Sequence, residues 1–189
     1  MRRGFKAWCE RTSAEYRQSL GLDGEYYFEP ELLAREIGVT VLDIGDLPGL
    51  ESSSIEQLTV KDPQSWSAIT VEANGHRVTV INPAHSETRR RNSLTHELAH
   101  VILNHKLADV GISEEGLLIQ QTNDPEQEEE ADWLSATLLV PRDLLAKAYF
   151  QNQSVDSCAS MFGVSSELVT WRLRMTGVLA QARRRKRYS

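Results

Sequence analysis

The sequence contains little cysteine and no long apolar run, and each absence excludes a class of protein. Cys9 and Cys158 are its two cysteines, and they lie far apart, so they form neither a disulfide framework nor a CxxC metal clip. No apolar run approaches the roughly 20 residues of a membrane-spanning helix. Charges interrupt residues 1–20, where a signal peptide needs an unbroken apolar core. We therefore expect a cytoplasmic protein in a reducing compartment, without a membrane partner.

Charge is distributed unevenly along the 189 residues, whose formal net charge is -6. Residues 1–140 hold 12 Lys and Arg against 24 Asp and Glu, whereas residues 141–189 hold nine against three. An acidic body repels nucleic acid, but the basic run at residues 183–187 could contact phosphate or an acidic protein. Runs of like charge are usually unstructured, and we predict a disordered tail over residues 181–189.

The spacing of apolar and turn residues predicts an α+β chain that is mainly helical, with a small antiparallel or mixed sheet of about three strands. The expected helices cover residues 5–20, 30–37, 86–104 and 125–140. The expected strands cover residues 39–42, 67–73 and 76–82, the last two joined by a hairpin turn at Asn74 and Gly75. Residues 47–62 are predicted as loop with one weak strand near 57–60, and residues 106–125 as a long loop.

The helix predicted over residues 86–104 carries an HExxH pattern at residues 96–100. Residues four apart project from one face of a helix, so His96 and His100 can reach one ion about 2 Å away. Glu97 is then placed beside the metal rather than on it. A chance match would leave two ordinary, partly buried histidines, but a motif inside a strongly periodic helix that follows a hairpin favours a zinc site.

An acidic cluster at the start of the next long helix offers the third ligand that an open zinc site needs. Its members are Glu126, Glu128, Glu129 and Glu130. Helical phase places Glu128 on the apolar or small side of that helix, and Asp132 next to it one turn later. We therefore predict Glu128 as the ligand and Asp132 as the carboxylate that takes the free ring N–H of a ligating histidine. Glu129 and Glu130 are interpreted as solvated residues favoured by the helix dipole.

At four segments the sequence resembles the ImmA/IrrE family of small metallopeptidases. They are LLAREIGV (32–39), WSAITV (66–71), INPAHSETRRRNSLTHELAHVILNH (81–105) and EEEADWLSATLLVP (128–141). The resemblance implies a minimal thermolysin-like zincin fold, with metal ligands at His96, His100 and Glu128. Similarity to the wider zincins implies that Asp132 orients His96. Trp133-Leu134 replaces the phenylalanine usual in the family's helix, which affects packing more than chemistry.

The function that follows is zinc-dependent peptide hydrolysis with Glu97 as general base. His85, His105 and Tyr149 are polar candidates for the oxyanion donor, although each is more readily explained as structural or solvent-facing. The resemblance implies a regulatory endopeptidase that cleaves a helix-turn-helix (XRE-type) repressor, encoded alongside it in a prophage, another mobile element or a stress-response locus. The alternative is a non-proteolytic DNA- or protein-binding regulator with a structural zinc.

Beyond Pro141 the spacing of apolar residues predicts a helix-turn-helix-like segment, with Gly163 at the turn and Ser165 as a helix cap. Its second helix has few basic residues, Arg172 and Arg174, so packing is favoured over direct reading of a DNA groove. We predict a metallopeptidase domain over residues 1–145, this helical segment over 146–180, and the tail.

Overall fold

The computed structural model describes residues 1–73, 75–107, 109–113, 116–120 and 124–187. The described residues form nine α-helices, which are α1 (Phe5–Ser19), α2 (Pro30–Glu36), α3 (Ser52–Glu56), α4 (Glu87–Ile102), α5 (Pro125–Leu139), α6 (Arg142–Phe150), α7 (Val155–Phe162), α8 (Ser166–Met175) and α9 (Val178–Arg187). The strands are β1 (Val39–Asp43), β2 (Ala68–Ala73), β3 (His76–Ile81), β4 (Asp109–Ser113) and β5 (Gly116–Gln120). The prediction of a mainly helical α+β chain is confirmed.

A mixed three-stranded sheet has the order β1-β3-β2, with β1 parallel and β2 antiparallel to β3. The hairpin between β2 and β3 was predicted from the turn dipeptide; Gly75 has the positive φ of 76° that such a turn requires, and Asn74 lies outside the described residues. Helix α4 packs against β2, β3 and α2. Its buried face, Leu94, Leu98, Ala99 and Val101, therefore forms the core beside the metal-binding motif.

Two segments differ from the prediction. The weak strand expected near residues 57–60 is wrong, because Gln57–Lys61 continues α3 as a π-helical turn. Leu58 from that turn packs against the buried cluster of Ile44, Ile69 and Val80, and this tertiary contact outweighs the local β propensity. The long loop expected over residues 106–125 contains a second, two-stranded antiparallel sheet formed by β4 and β5.

The chain divides into two compact units, one formed by Met1 and Glu29–Asp132 and the other by Arg2–Phe28 and Trp133–Ser189. The predicted boundary at residue 145 lies within the second of these units and stays a prediction. In the second unit, hydrogen bonds tie helix α1 to α5: Ser13 Oγ donates to the Thr137 carbonyl at 3.1 Å. Contacts between segments more than a hundred residues apart, such as that between α1 and α5, have no periodic pattern in the sequence, so they could not be predicted from it.

Helices α7 and α8 of the second unit confirm the predicted helix, turn and helix, with Gly163 at a positive φ of 63° and Ser165 accepting a bond from the Leu168 amide. The basic run at residues 183–187 lies in helix α9, which ends at Arg187. The disordered tail over residues 181–189 stays a prediction. Among the described residues, none of the helices combines the length and apolar character needed to cross a membrane.

Candidate metal centre

The two motif histidines and Glu128 meet in the first unit. Each offers one ligand atom, and these atoms lie within 4.8 Å of one another. His96 Nε2 is 3.0 Å from His100 Nε2 and 3.2 Å from a Glu128 carboxylate oxygen; the other oxygen is 3.5 Å from His100 Nε2. Three ligands about 2.0–2.1 Å from a tetrahedral zinc ion are about 3.3 Å apart, so these donors fit such an ion.

Local structure explains why these side chains converge. Ser86 caps helix α4 by accepting a bond from the Arg89 amide, and the uninterrupted helix places His96 and His100 one turn apart. Glu128 lies in the first turn of helix α5, whose amino-terminal dipole favours a carboxylate. The side chains of His96 and Glu128 are 22% and 43% exposed, so a water molecule and a substrate can reach the centre.

Asp132 lies where the sequence predicted it, beside the outer ring nitrogen of His96. Its Oδ1 is 3.1 Å from His96 Nδ1, which leaves His96 Nε2 for the metal. Burial lowers the pKa of His96, but the Asp132 hydrogen bond and the charges of Asp132, Glu97 and Glu128 outweigh it and raise the pKa. Burial, with the neighbouring charges of His96 and His105, lowers the pKa of His100 to about 4.

These directions predict how metal binding depends on pH, because imidazole binds a metal only when neutral. Because the pKa of His100 is about 4, His100 is neutral at physiological pH, and protonation of His96 is the step that competes with metal binding as pH falls. Affinity should be flat above the raised pKa of His96, fall as pH drops through it, and fall more steeply near pH 4, where His100 also protonates.

Zinc titrations at a series of pH values measure this dependence, and the variation of binding enthalpy with buffer ionisation heat measures proton release. Asp132→Asn removes a charge that raises the pKa of His96, so the pH at which zinc affinity begins to fall should move to a lower value. Equal affinities on both sides of the His96 pKa would contradict the assignment.

Glu97 contacts the sheet through a residue that the sequence did not single out. Thr70 in β2 lies beside Glu97, and its hydroxyl and backbone amide act to lower the pKa of the Glu97 carboxyl. Thr70 Oγ1 also lies 2.9 Å from Thr79 Oγ1, and both threonines are buried. Either hydroxyl could be the donor in this contact. Burial raises the pKa of Glu97 despite the opposing effects of Thr70 and His96, which suits a group that accepts a proton and later returns it.

Thr70→Val should lower kcat about tenfold with little change in KM, since a hydrogen bond to a charged group contributes roughly 1.5–3 kcal/mol. Thr70→Ser keeps the hydroxyl and should retain near-normal turnover. Steady-state kinetics on a cleavable peptide compare the two variants, with thermal unfolding as the check on folding. Equal turnover by the valine and serine variants would show that this hydroxyl does not position Glu97.

The other predicted polar residues have different surroundings. His85 Nε2 lies 2.9 Å from the Trp66 carbonyl oxygen and 3.4 Å from Ser67 Oγ. These contacts give His85 a structural role, because they hold the loop that precedes β2. Tyr149 lies in helix α6 of the second unit. His105 lies against His100, with 3.1 Å between their Nδ1 atoms.

The interpretation of Glu130 as a solvated residue is wrong, whereas Glu129 is exposed as expected, with 61% of its side chain accessible. Glu130 is 7% exposed, and its carboxylate lies 3.5 Å from His105 Nε2. Helical phase measured against the apolar stripe missed this contact, because the partner of Glu130 is a histidine that follows helix α4.

A helix carrying HExxH, a second helix supplying a carboxylate, and a small mixed sheet define the class of zincin-like metal proteins. Comparison with protein families matches residues 55–174 to the IrrE N-terminal-like domain. The chain belongs to this ImmA/IrrE metallopeptidase family, as its motifs predicted. A search of curated proteins gave no match. Membership indicates a metallopeptidase-type function, and the His-His-Glu group is a site that could bind the metal.

Proposed function

We propose that the protein is a cytosolic zinc-dependent endopeptidase that cleaves a helix-turn-helix repressor. The observation that carries the catalytic part is the group of His96, His100 and Glu128, whose donor atoms have the mutual separations of zinc ligands. Two imidazoles and one carboxylate leave the fourth position of a tetrahedral ion for water, as in hydrolytic sites.

The residues of the chain divide the chemistry among them. When bound, zinc would lower the pKa of a water molecule and polarise the peptide carbonyl. Glu97 takes the proton from the attacking water and returns it to the leaving amine. Thr70 favours the charged form of the Glu97 carboxylate, and Asp132 holds the His96 ring with its Nε2 free.

The proposed substrate rests on the family. The resemblance of this chain to the family implies a regulatory protease. It also implies that the substrate is a repressor encoded next to the protease gene. Incubating zinc-loaded protein with that repressor should give a discrete cut, identified by mass spectrometry of the products. A chelator should abolish the cut, and added zinc should restore it.

Two controls separate the enzyme from its substrate. If an unstructured peptide mixture is cut but the repressor is not, the peptidase stands and the substrate is different. If neither is cut by zinc-loaded protein, the endopeptidase proposal fails.

The competing function is a regulator that binds DNA or protein and cleaves nothing. The helix-turn-helix of α7 and α8, with the exposed Arg183 and Arg184 on α9, is the feature that favours it. Arg172, however, is fully buried in the second unit, where it donates to the Val140 carbonyl at 2.9 Å and to Glu10 at 2.6 Å. One of the two basic residues of α8 therefore packs inside the protein, which is why we prefer the enzyme.

A further inference from the structure

The outer nitrogen of His100 faces another imidazole rather than a carboxylate. His100 Nε2 points to His96 and Glu128, whereas His100 Nδ1 lies 3.1 Å from His105 Nδ1. The two rings meet edge to face, with centroids 5.0 Å apart and planes at 70°. Most metal-binding histidines give this second N–H to a carboxylate, a carbonyl or water. His105 occupies that place here.

The end of helix α4 explains how His105 reaches His100. Asn104 has a left-handed φ of 53°, the His105 amide donates to the His100 carbonyl at 3.0 Å, and the Asn104 amide donates to the Val101 carbonyl at 3.1 Å. These two bonds form a Schellman motif, which turns the chain back over the last helical turn. The backbone therefore fixes His105 beside the histidine five residues earlier.

A buried carboxylate lies on the far side of His105. Glu130 Oε2 is 3.5 Å from His105 Nε2, and the side chains of His105 and Glu130 are only 7% and 10% exposed. Asp132, the carboxylate beside His96, is by contrast 72% exposed. Burial strengthens the electrostatic attraction between Glu130 and His105, because less solvent screens it.

The three side chains impose one arrangement of protons. When His100 binds metal through Nε2, its proton lies on Nδ1 and needs an acceptor. His105 can accept through Nδ1 only if its own proton lies on Nε2, where Glu130 attracts it. Glu130 thus selects the tautomer of His105, and His105 selects that of His100.

We propose that His105 and Glu130 are positioning residues that hold His100 in the ring orientation and tautomer that bind the metal. This inference rests on the proposed function only in requiring that His100 ligates a metal. It adds a second route of support to the centre, separate from the contact between Asp132 and His96.

A matched pair of substitutions tests the acceptor on His105. Leucine and asparagine have the same branched shape, but only asparagine carries an oxygen at the position of Nδ1. His105→Leu should weaken zinc binding by about 10–100-fold, the usual effect of losing such a partner. His105→Asn should recover most of the affinity, because its amide oxygen can accept the His100 N–H.

A second pair tests the carboxylate. Glu130→Gln keeps the shape and removes the charge, so it should weaken zinc binding in the same direction and by less than His105→Leu. Glu129→Gln makes the same chemical change at an exposed neighbour and should bind zinc as the unchanged protein does.

The experiment measures zinc affinity of the full chain by competition with a chromophoric chelator, together with the visible spectrum of the cobalt-substituted protein. We expect a changed cobalt spectrum for His105→Leu and a near-normal one for His105→Asn. Thermal unfolding of the metal-free variants checks the fold; if the leucine variant does not fold, the asparagine and Glu130→Gln variants carry the comparison.

The results separate this inference from the proposed function. Equal zinc affinity for the leucine, asparagine and unchanged proteins would overturn the positioning role while leaving the peptidase intact. If His105→Asn bound zinc as weakly as His105→Leu, the positioning role would also be overturned, because a hydrogen-bond acceptor at residue 105 would then have no effect. Failure of the unchanged protein to bind zinc would instead remove the proposed function, and this inference with it.

Discussion

Glu97→Gln is expected to lower kcat by about two to four orders of magnitude, the usual contribution of a general acid–base group, while zinc stays bound. The glutamine has nearly the same shape and can still contact Thr70, but it cannot take a proton from water. The three proposed metal ligands, His96, His100 and Glu128, are untouched. Zinc content by elemental analysis and turnover of a cleavable peptide measure the two properties separately.

Glu129→Gln is the matched control for this change, because it removes a carboxylate that is exposed in helix α5. It should leave zinc content and kcat unaltered. Retention of the biological effect by Glu97→Gln, in a strain that carries the repressor, would support the binding regulator instead of the enzyme. Full peptidase activity of the glutamine variant would contradict the role of Glu97.

Glu128→Ala is expected to remove both zinc and activity, in contrast to Glu97→Gln. The carboxylate is the sole ligand of the three that comes from helix α5, and without it two imidazoles 3.0 Å apart must hold the ion alone. The variant should lose zinc on gel filtration and show no turnover. Glu129→Ala, which shortens the adjacent exposed glutamate, should retain both.

Metal-free Glu128→Ala should remain folded, because the Glu128 side chain is 43% exposed and helix α5 is fixed by buried residues such as Ala131 and Leu134. Circular dichroism tests this. A folded Glu128→Ala variant that keeps a full equivalent of zinc and normal turnover would show that another residue is the third ligand.

The sequence was sufficient for the features that local periodicity controls. Helical spacing placed His96 and His100 on one face, and the phase of the next helix selected Glu128 among four neighbouring glutamates. The structure brings these three together and places Asp132 beside His96. A turn dipeptide and two β-rich runs were enough to predict strands β2 and β3.

The rest depends on contacts between distant segments. Thr70 lies beside Glu97 because strand β2 packs against helix α4, and the buried Glu130 lies beside His105. Neither contact has a periodic signal. Asn104 did carry a local one: asparagine after the last apolar residue is typical of a left-handed cap, and a Schellman motif there would have predicted His105 beside His100.

X-ray absorption spectroscopy at the zinc edge tests the proposed metal centre most directly, with the zinc-loaded protein compared with Glu128→Ala. We expect one ion with two imidazole nitrogens at about 2.0–2.1 Å and oxygen ligands at about 2.0–2.2 Å, one from Glu128 and one from water. A zinc ion bound by sulfur at about 2.3 Å, or an identical spectrum after Glu128 is removed, would contradict the proposed metal centre.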